Sequence, residues 1–149
     1  MCIRDRITSD SGWTSTDKFD ELKQKIRKYK KNNFRVSIFI NPSLTSYSFA
    51  RSLNPDAIEI YTGPFAEVIQ DGKKHEIHNA QNKISKIVES AKLNNLKVNA
   101  GHDLNLNNLP YLKECGDIDE VSIGHAIIVD SLKYGFKDTI NMYIETIKK

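Results

Sequence analysis

Two histidines share one setting in this chain. His102 follows Gly101 at the end of Leu96-Lys97-Val98-Asn99-Ala100, and His125 follows Gly124 at the end of Glu120-Val121-Ser122-Ile123. Each run reads as a β-strand halted at glycine, a residue that lets the backbone pass close to a ligand. Histidine is the side chain whose proton moves most readily near neutral pH. One Gly-His step is an ordinary loop; two, on consecutive strand ends, point to acid–base chemistry. Gly124-His125-Ala126-Ile127 also opens a helix, and helix N-termini present free N–H groups suited to phosphate. Glu59 stands between Ile58 and Ile60, so it points to the opposite side of a pleated strand. A carboxylate there is costly unless paired or functional, which leaves an ion pair and a site residue as its two readings.

The remaining reactive side chains offer less. His75 and His78 have the i,i+3 spacing of a metal pair, but Asp71-Gly72-Lys73-Lys74 beside them reads as an exposed loop and no further ligand completes a site. Cys115 reads as a small packed hydrophobe, and Trp13 and the tyrosines as packing residues. The lysines between Lys23 and Lys31 are interleaved with other residues on what reads as the solvated face of a helix rather than as a nucleic-acid platform.

The elements that must position these residues follow from periodicity. Phe19, Leu22, Ile26 and Tyr29 recur at steps of three and four and predict a first helix, with Thr14 and Asp17 resembling a capping box. Asn32-Asn33 stops it. Phe34 to Ile40 is a β-rich run closed by Asn41-Pro42, followed by a helix from Ser43 to about Leu53. Ala57 to Tyr61 is the next strand, closed by Thr62-Gly63-Pro64, and a helix runs from Asn79 to about Leu93. The strand at Leu96 precedes a short helix near Leu106 to Leu112; the strand at Glu120 precedes helices near Ile127 to Tyr134 and from Phe136 onward. Four βα units in succession demand a parallel sheet with helical crossovers. Either an open doubly wound sheet or half of a (β/α)₈ TIM barrel fits; the absence of G-x-G-x-x-G weakens the former. In both, sites form at the C-terminal ends of the strands, where His102 and His125 lie.

Composition sets the class. The chain has 149 residues, 39% hydrophobic and 28% charged, as expected of a globular domain. Twenty-two Lys and Arg against 19 Asp and Glu leave +3, too little to imply nucleic acid. No apolar run is long enough for a membrane-spanning helix, and residues 1–6 lack the apolar stretch of a secretory signal. Two cysteines suit a reducing compartment. The expectation is a cytoplasmic protein with no membrane or nucleic-acid partner.

Several phrases resemble one family. Leu96 to His102 and Val121-Ser122-Ile123-Gly124-His125-Ala126-Ile127-Ile128 are similar to the last two strand ends of pyridoxine 5'-phosphate synthases. Val36 to Ile40 and Ile58-Glu59-Ile60-Tyr61-Thr62-Gly63 resemble the fifth and sixth strands of that family, and Ile7 to Gly12 the end of the loop after its fourth. The resemblance runs from about residue 7 to the C-terminus. It implies the second half of a TIM barrel, strands five to eight with the preceding helix, and a non-native start at residues 1–6. It also implies condensation of 3-amino-2-oxopropyl phosphate with 1-deoxy-D-xylulose 5-phosphate, giving pyridoxine 5'-phosphate, phosphate and water with no cofactor and no metal. Such enzymes act on small phosphorylated substrates and tend to form homo-oligomers.

By position, the resemblance makes His102 the proton donor, Glu59 the transition-state stabiliser and Thr8 a contact to the deoxyxylulose phosphate. Gly124 and His125 match the pair that holds the aminoketone phosphate. Asp103 stands where the family usually has glycine next to the proton donor. A backbone N–H survives that change, but a carboxylate beside a phosphate repels it. The family's proton acceptors, a histidine and a glutamate, belong to strands earlier than any found here, so the chain reads as a fragment that is inactive by itself. Two other readings compete: a non-catalytic half-barrel that dimerises or binds a phosphorylated ligand, and a different phosphate-handling barrel such as an aldolase or isomerase. The last needs an inward base at a strand end, and no lysine occupies one.

Overall fold

A computed structural model describes residues 11–14 and 18–148. Four parallel strands form one sheet in the order β1-β2-β3-β4: β1 Ser37–Ile40, β2 Ala57–Tyr61, β3 Lys97–Gly101 and β4 Glu120–Ser122. Helix α1 (Phe19–Lys31) precedes β1 and α2 (Leu44–Ser52) follows it; α3 (Gly63–Asp71) and α4 (Lys74–Leu93) follow β2. After β3 comes α5 (Leu109–Lys113), and after β4 come α6 (His125–Tyr134) and α7 (Phe136–Ile147).

Alternation along the strands sorts the side chains into two rows. Ile38, Ile40, Ile58, Ile60, Val98 and Ala100 are buried in one core with Tyr47, Ile84, Ile87 and Ala91 of the helices. Phe39, Glu59 and Asn99, paired across the sheet in register, are only half-buried and form the other row. The helices end as their asparagines demand. Asn33, Asn54 and Asn95 adopt φ of 62°, 57° and 56°, the left-handed turn that closes a helix and that asparagine tolerates better than most residues. Phe34 and Leu96 then return their N–H groups to Tyr29 and Ala91 at 3.1 and 3.0 Å, aiming the chain into β1 and β3.

The structure departs from the sequence reading at four places. β1 begins at Ser37, because Val36 gives its N–H to the Asp56 carboxylate and its carbonyl to the N–H groups of Asp56 and Ala57. Thr62-Gly63-Pro64 does not open a loop: Gly63 and Pro64 start α3, where a missing N–H costs nothing, and Gly72 closes it at φ 72°. The expected loop at 71–74 thus shrinks to the joint before α4, which starts at Lys74 rather than Asn79. Helix α1 has Lys18 at its N-cap with no side-chain cap; Asp17 of the expected capping box lies outside the described residues. The β1 edge carries a bridge: Trp13 donates to the Phe39 carbonyl at 2.9 Å, and Gly12 donates to the Asn41 side chain at 2.7 Å.

Candidate active site

The C-terminal ends of β3 and β4 open onto a cleft of about 1210 Å³. His102, Asp103, Ser122, Gly124 and His125 line it, together with Ala66 and Ile69 of α3 and Asn105 and Asn108 of the loop after β3. Four of the residues singled out from sequence therefore meet in one place. Glu59 reaches the same region from β2. Register sets Tyr61 beside Gly101 and Gly101 beside Ser122, and the Glu59 carboxyl leans along that row. A Cβ on Gly101 would fall 2.5 Å from Glu59 Oε1 and 3.1 Å from Ser122 Cβ, so any side chain there would displace the Glu59 carboxyl. Burial pushes the Glu59 carboxyl above the ordinary range; the Ser122 hydroxyl, hydrogen-bonded to it, opposes this, and the Glu120 carboxylate adds to it. A carboxyl so placed can hold or give a proton closer to neutral pH than an exposed glutamate.

His102 is held from several sides. Its Nδ1 lies 2.8 Å from Asp103 Oδ2. An ionised carboxylate only accepts, so Nδ1 carries the proton of that contact and Nε2 is the nitrogen left for a ligand. The Tyr61 ring stands edge-on to the imidazole, with centroids 4.9 Å apart at 90°. The backbone turns sharply here: His102 has φ 94° and Asp103 φ 55°, both in the left-handed region.

Gly124 caps α6 and His125 is its first residue, two positions earlier than periodicity alone indicated. The exposed end of this helix faces the cleft. Helix α6 fully buries none of its own side chains; its half-buried Ala126 and Ile127 pack against the core, and the buried Tyr143 of α7 donates to Asp130 Oδ2 at 2.7 Å. Thr8 lies outside the described residues. His75 and His78 sit exposed on α4, and among the described residues no group of three metal-capable side chains occurs. No helix of the described residues is long and apolar enough to cross a membrane. Cys115 is buried, and burial above all pushes its thiol up to about 12, which makes it a poor nucleophile.

Sequence reasoning missed Gly101 as room for the Glu59 carboxyl, Ser122 as the partner of Glu59, and Tyr61 and Thr62 as supports of His102. Each depends on which residues lie side by side across strands. A glycine and a serine on the same face as an inward glutamate was the one available signal.

The chain matches the family described as pyridoxal phosphate biosynthesis protein PdxJ over residues 3–149. It is 39% identical over 144 residues to a pyridoxine 5'-phosphate synthase of Cytophaga hutchinsonii, an alignment covering 96% of this chain and 59% of that protein. It is 40% identical over 146 residues to one of Christiangramia forsetii, covering 95% and 59%. It is 36% identical over 145 residues to one of Brucella abortus, covering 95% and 57%. The chain thus spans somewhat under three-fifths of the length of these curated relatives.

Proposed function

The chain belongs to the PdxJ family of pyridoxal phosphate biosynthesis proteins, and from that premise we propose that it carries the proton-donor and aminoketone-phosphate half of a pyridoxine 5'-phosphate synthase site. The reaction is the condensation of 3-amino-2-oxopropyl phosphate with 1-deoxy-D-xylulose 5-phosphate. The observation that carries this reading is the convergence of His102, Gly124 and His125 on one cleft, with the raised Glu59 carboxyl bonded to Ser122 of its lining.

In this reading His102 Nε2 delivers the proton to a departing oxygen, since Nδ1 is engaged by Asp103. Glu59 stabilises charge that develops on the amine side as the ring closes. The free N–H groups at the start of α6, with His125, receive the aminoketone phosphate. Asp103 offers that phosphate only its backbone N–H, its carboxylate being directed to His102. Thr8 contacts the deoxyxylulose phosphate. The reading invokes no cofactor and includes a cytoplasmic protein that assembles into homo-oligomers.

The test is product formation. The chain, joined to the N-terminal portion of a relative that it does not span, is mixed with both phosphorylated substrates, and pyridoxine 5'-phosphate is followed by its fluorescence after chromatography. Turnover by the parent and its near-abolition in His102→Ala, with the thermal midpoint unchanged, is the expected result. Equal turnover in His102→Ala removes the assignment of His102. A second reading, phosphorylated-ligand binding without turnover, draws on the partial span of the relatives' length. Its signature is ligand-induced amide shifts at Gly124 and His125 with no product.

A further inference from the structure

The corner that presents His102 is built from two consecutive residues in the left-handed region, His102 at φ 94° and Asp103 at φ 55°. Neither is glycine, and such backbone conformations persist only where the surroundings impose them. Two buried polar side chains grip this corner. Thr62, fully buried, donates its hydroxyl to the His102 carbonyl at 2.6 Å, while its N–H donates to the Gly101 carbonyl at 2.9 Å. Asn108, 2% exposed, donates its side-chain N–H to the Asp103 carbonyl at 2.9 Å and accepts the Asn105 N–H at 2.8 Å. Each strained residue thus has its carbonyl held by one buried donor. A buried donor without its acceptor costs more than the bond itself contributes, so both side chains resist relaxation of the turn.

We propose that Thr62 and Asn108 are positioning residues for proton transfer: they hold the 102–103 corner in its left-handed form and so fix the aim of the His102 imidazole into the cleft. The inference rests on the proposed role of His102 in the synthase reaction. Thr62 does not line the cleft, so it acts through the backbone of its neighbour and not on a ligand. Tyr61 completes the arrangement, its ring edge closing one side of the imidazole. The next residue of the β2 end thus supports the histidine that β3 presents.

The test pairs Thr62→Val, which keeps shape and loses the donor, with Thr62→Ser, which keeps the donor. Two readouts are taken: the amide–Hα coupling of His102 together with its intraresidue amide–Hα NOE, which jointly report the sign of φ, and synthase kinetics of the chain joined to the N-terminal portion of a relative. Thr62→Val is expected to move the coupling toward negative φ and to lower kcat on the order of 10²-fold with KM unchanged, the size of effect a misplaced catalytic group produces. Thr62→Ser is expected to restore both. An unmoved coupling with an unmoved NOE in Thr62→Val overturns the proposal, as does equal loss of activity in the valine and serine variants. If Thr62→Val does not fold, Asn108→Asp decides, because it keeps the acceptor for Asn105 and loses the donor to Asp103. Full turnover in His102→Ala defeats the role of His102; the coupling and NOE then still decide whether Thr62 holds the corner.

Discussion

Gly101→Ala separates the Glu59 carboxyl from the rest of the cleft. Gly101 is not among the positive-φ glycines, so alanine suits its backbone, and the only obstacle is what the new methyl meets. That Cβ would lie 2.5 Å from Glu59 Oε1, whereas ordinary contact begins near 3.4 Å, so the carboxyl must move by about 0.9 Å. The end of a glutamate side chain yields more readily than strand backbone, so Glu59 gives way and leaves Ser122. Losing that hydrogen bond costs about 1 kcal/mol. Crowding against Ser122 Cβ adds roughly 1 kcal/mol or more, and the reduced freedom of the unfolded chain returns about 0.5–1 kcal/mol. The net is a destabilisation of about 1–2 kcal/mol, a fall in thermal midpoint of roughly 2–8 °C for a chain of this size. The sharper readout is the ¹³C titration of the Glu59 carboxyl. Burial raises it in the parent, so this group favours folding below the ordinary glutamate range and loses that contribution as pH rises through its folded value. Pushed toward solvent in the variant, the carboxyl is expected to titrate nearer its ordinary value, and that pH dependence to shrink. Synthase turnover is expected to fall on the order of 10²-fold. An unchanged titration with an unchanged midpoint would mean that Glu59 does not lie over Gly101, and the reasoning fails.

Two further perturbations test the scaffold. Burial opposes ionisation of Asp119, but Lys92, the Val98 N–H and Lys97 bonded to it prevail and hold its carboxyl at about 2. Its stabilising contribution is therefore present above the ordinary aspartate range and lost as pH falls toward about 2. Asp119→Asn is expected to be less stable than the parent at pH 7 by denaturant unfolding, with the gap closing in acid; a gap independent of pH contradicts the charge argument. With its thiol at about 12, Cys115 carries a thiolate fraction on the order of 10⁻⁴ at pH 8. In a Cys2→Ser background the native protein is expected to resist iodoacetamide and to label fully in denaturant, and rapid native labelling would show that the packing over Cys115 opens.

Much of this molecule is legible along the chain because it depends on residues near one another in sequence. The Asn32-Asn33 helix stop needs only a local left-handed turn. The alternation around Glu59 needs only the two-residue period of a strand. Gly-His at two strand ends is likewise a local pattern, and the two histidines line one cleft. What escaped notice depends on register. Thr62 reads as the end of a strand, and its role appears only once it is seen 2.6 Å from the carbonyl of a residue forty positions later. Ser122 becomes a partner of Glu59 only through the pairing of β2 with β3 and of β3 with β4. Helix α3 was hidden by Gly63-Pro64, which marks a turn in one setting and a helix start in another.

The two sides of the cleft are anchored by different physics, and this bears on how it would work. The His102 side grows directly from β3, whose Val98 and Ala100 are fully buried among apolar neighbours, and its strained corner is gripped by two buried donors. The α6 side has no fully buried side chain of its own. Its place depends on half-buried Ala126 and Ile127 and on α7, including the bond from Tyr143 to Asp130, and Ile128, Val129 and Leu132 on it remain exposed. A proton donor must be held to within a fraction of an ångström to be effective, whereas a phosphate site can close onto its ligand. Rigid support beneath the histidine and lighter support beneath the helix N-terminus match those two demands.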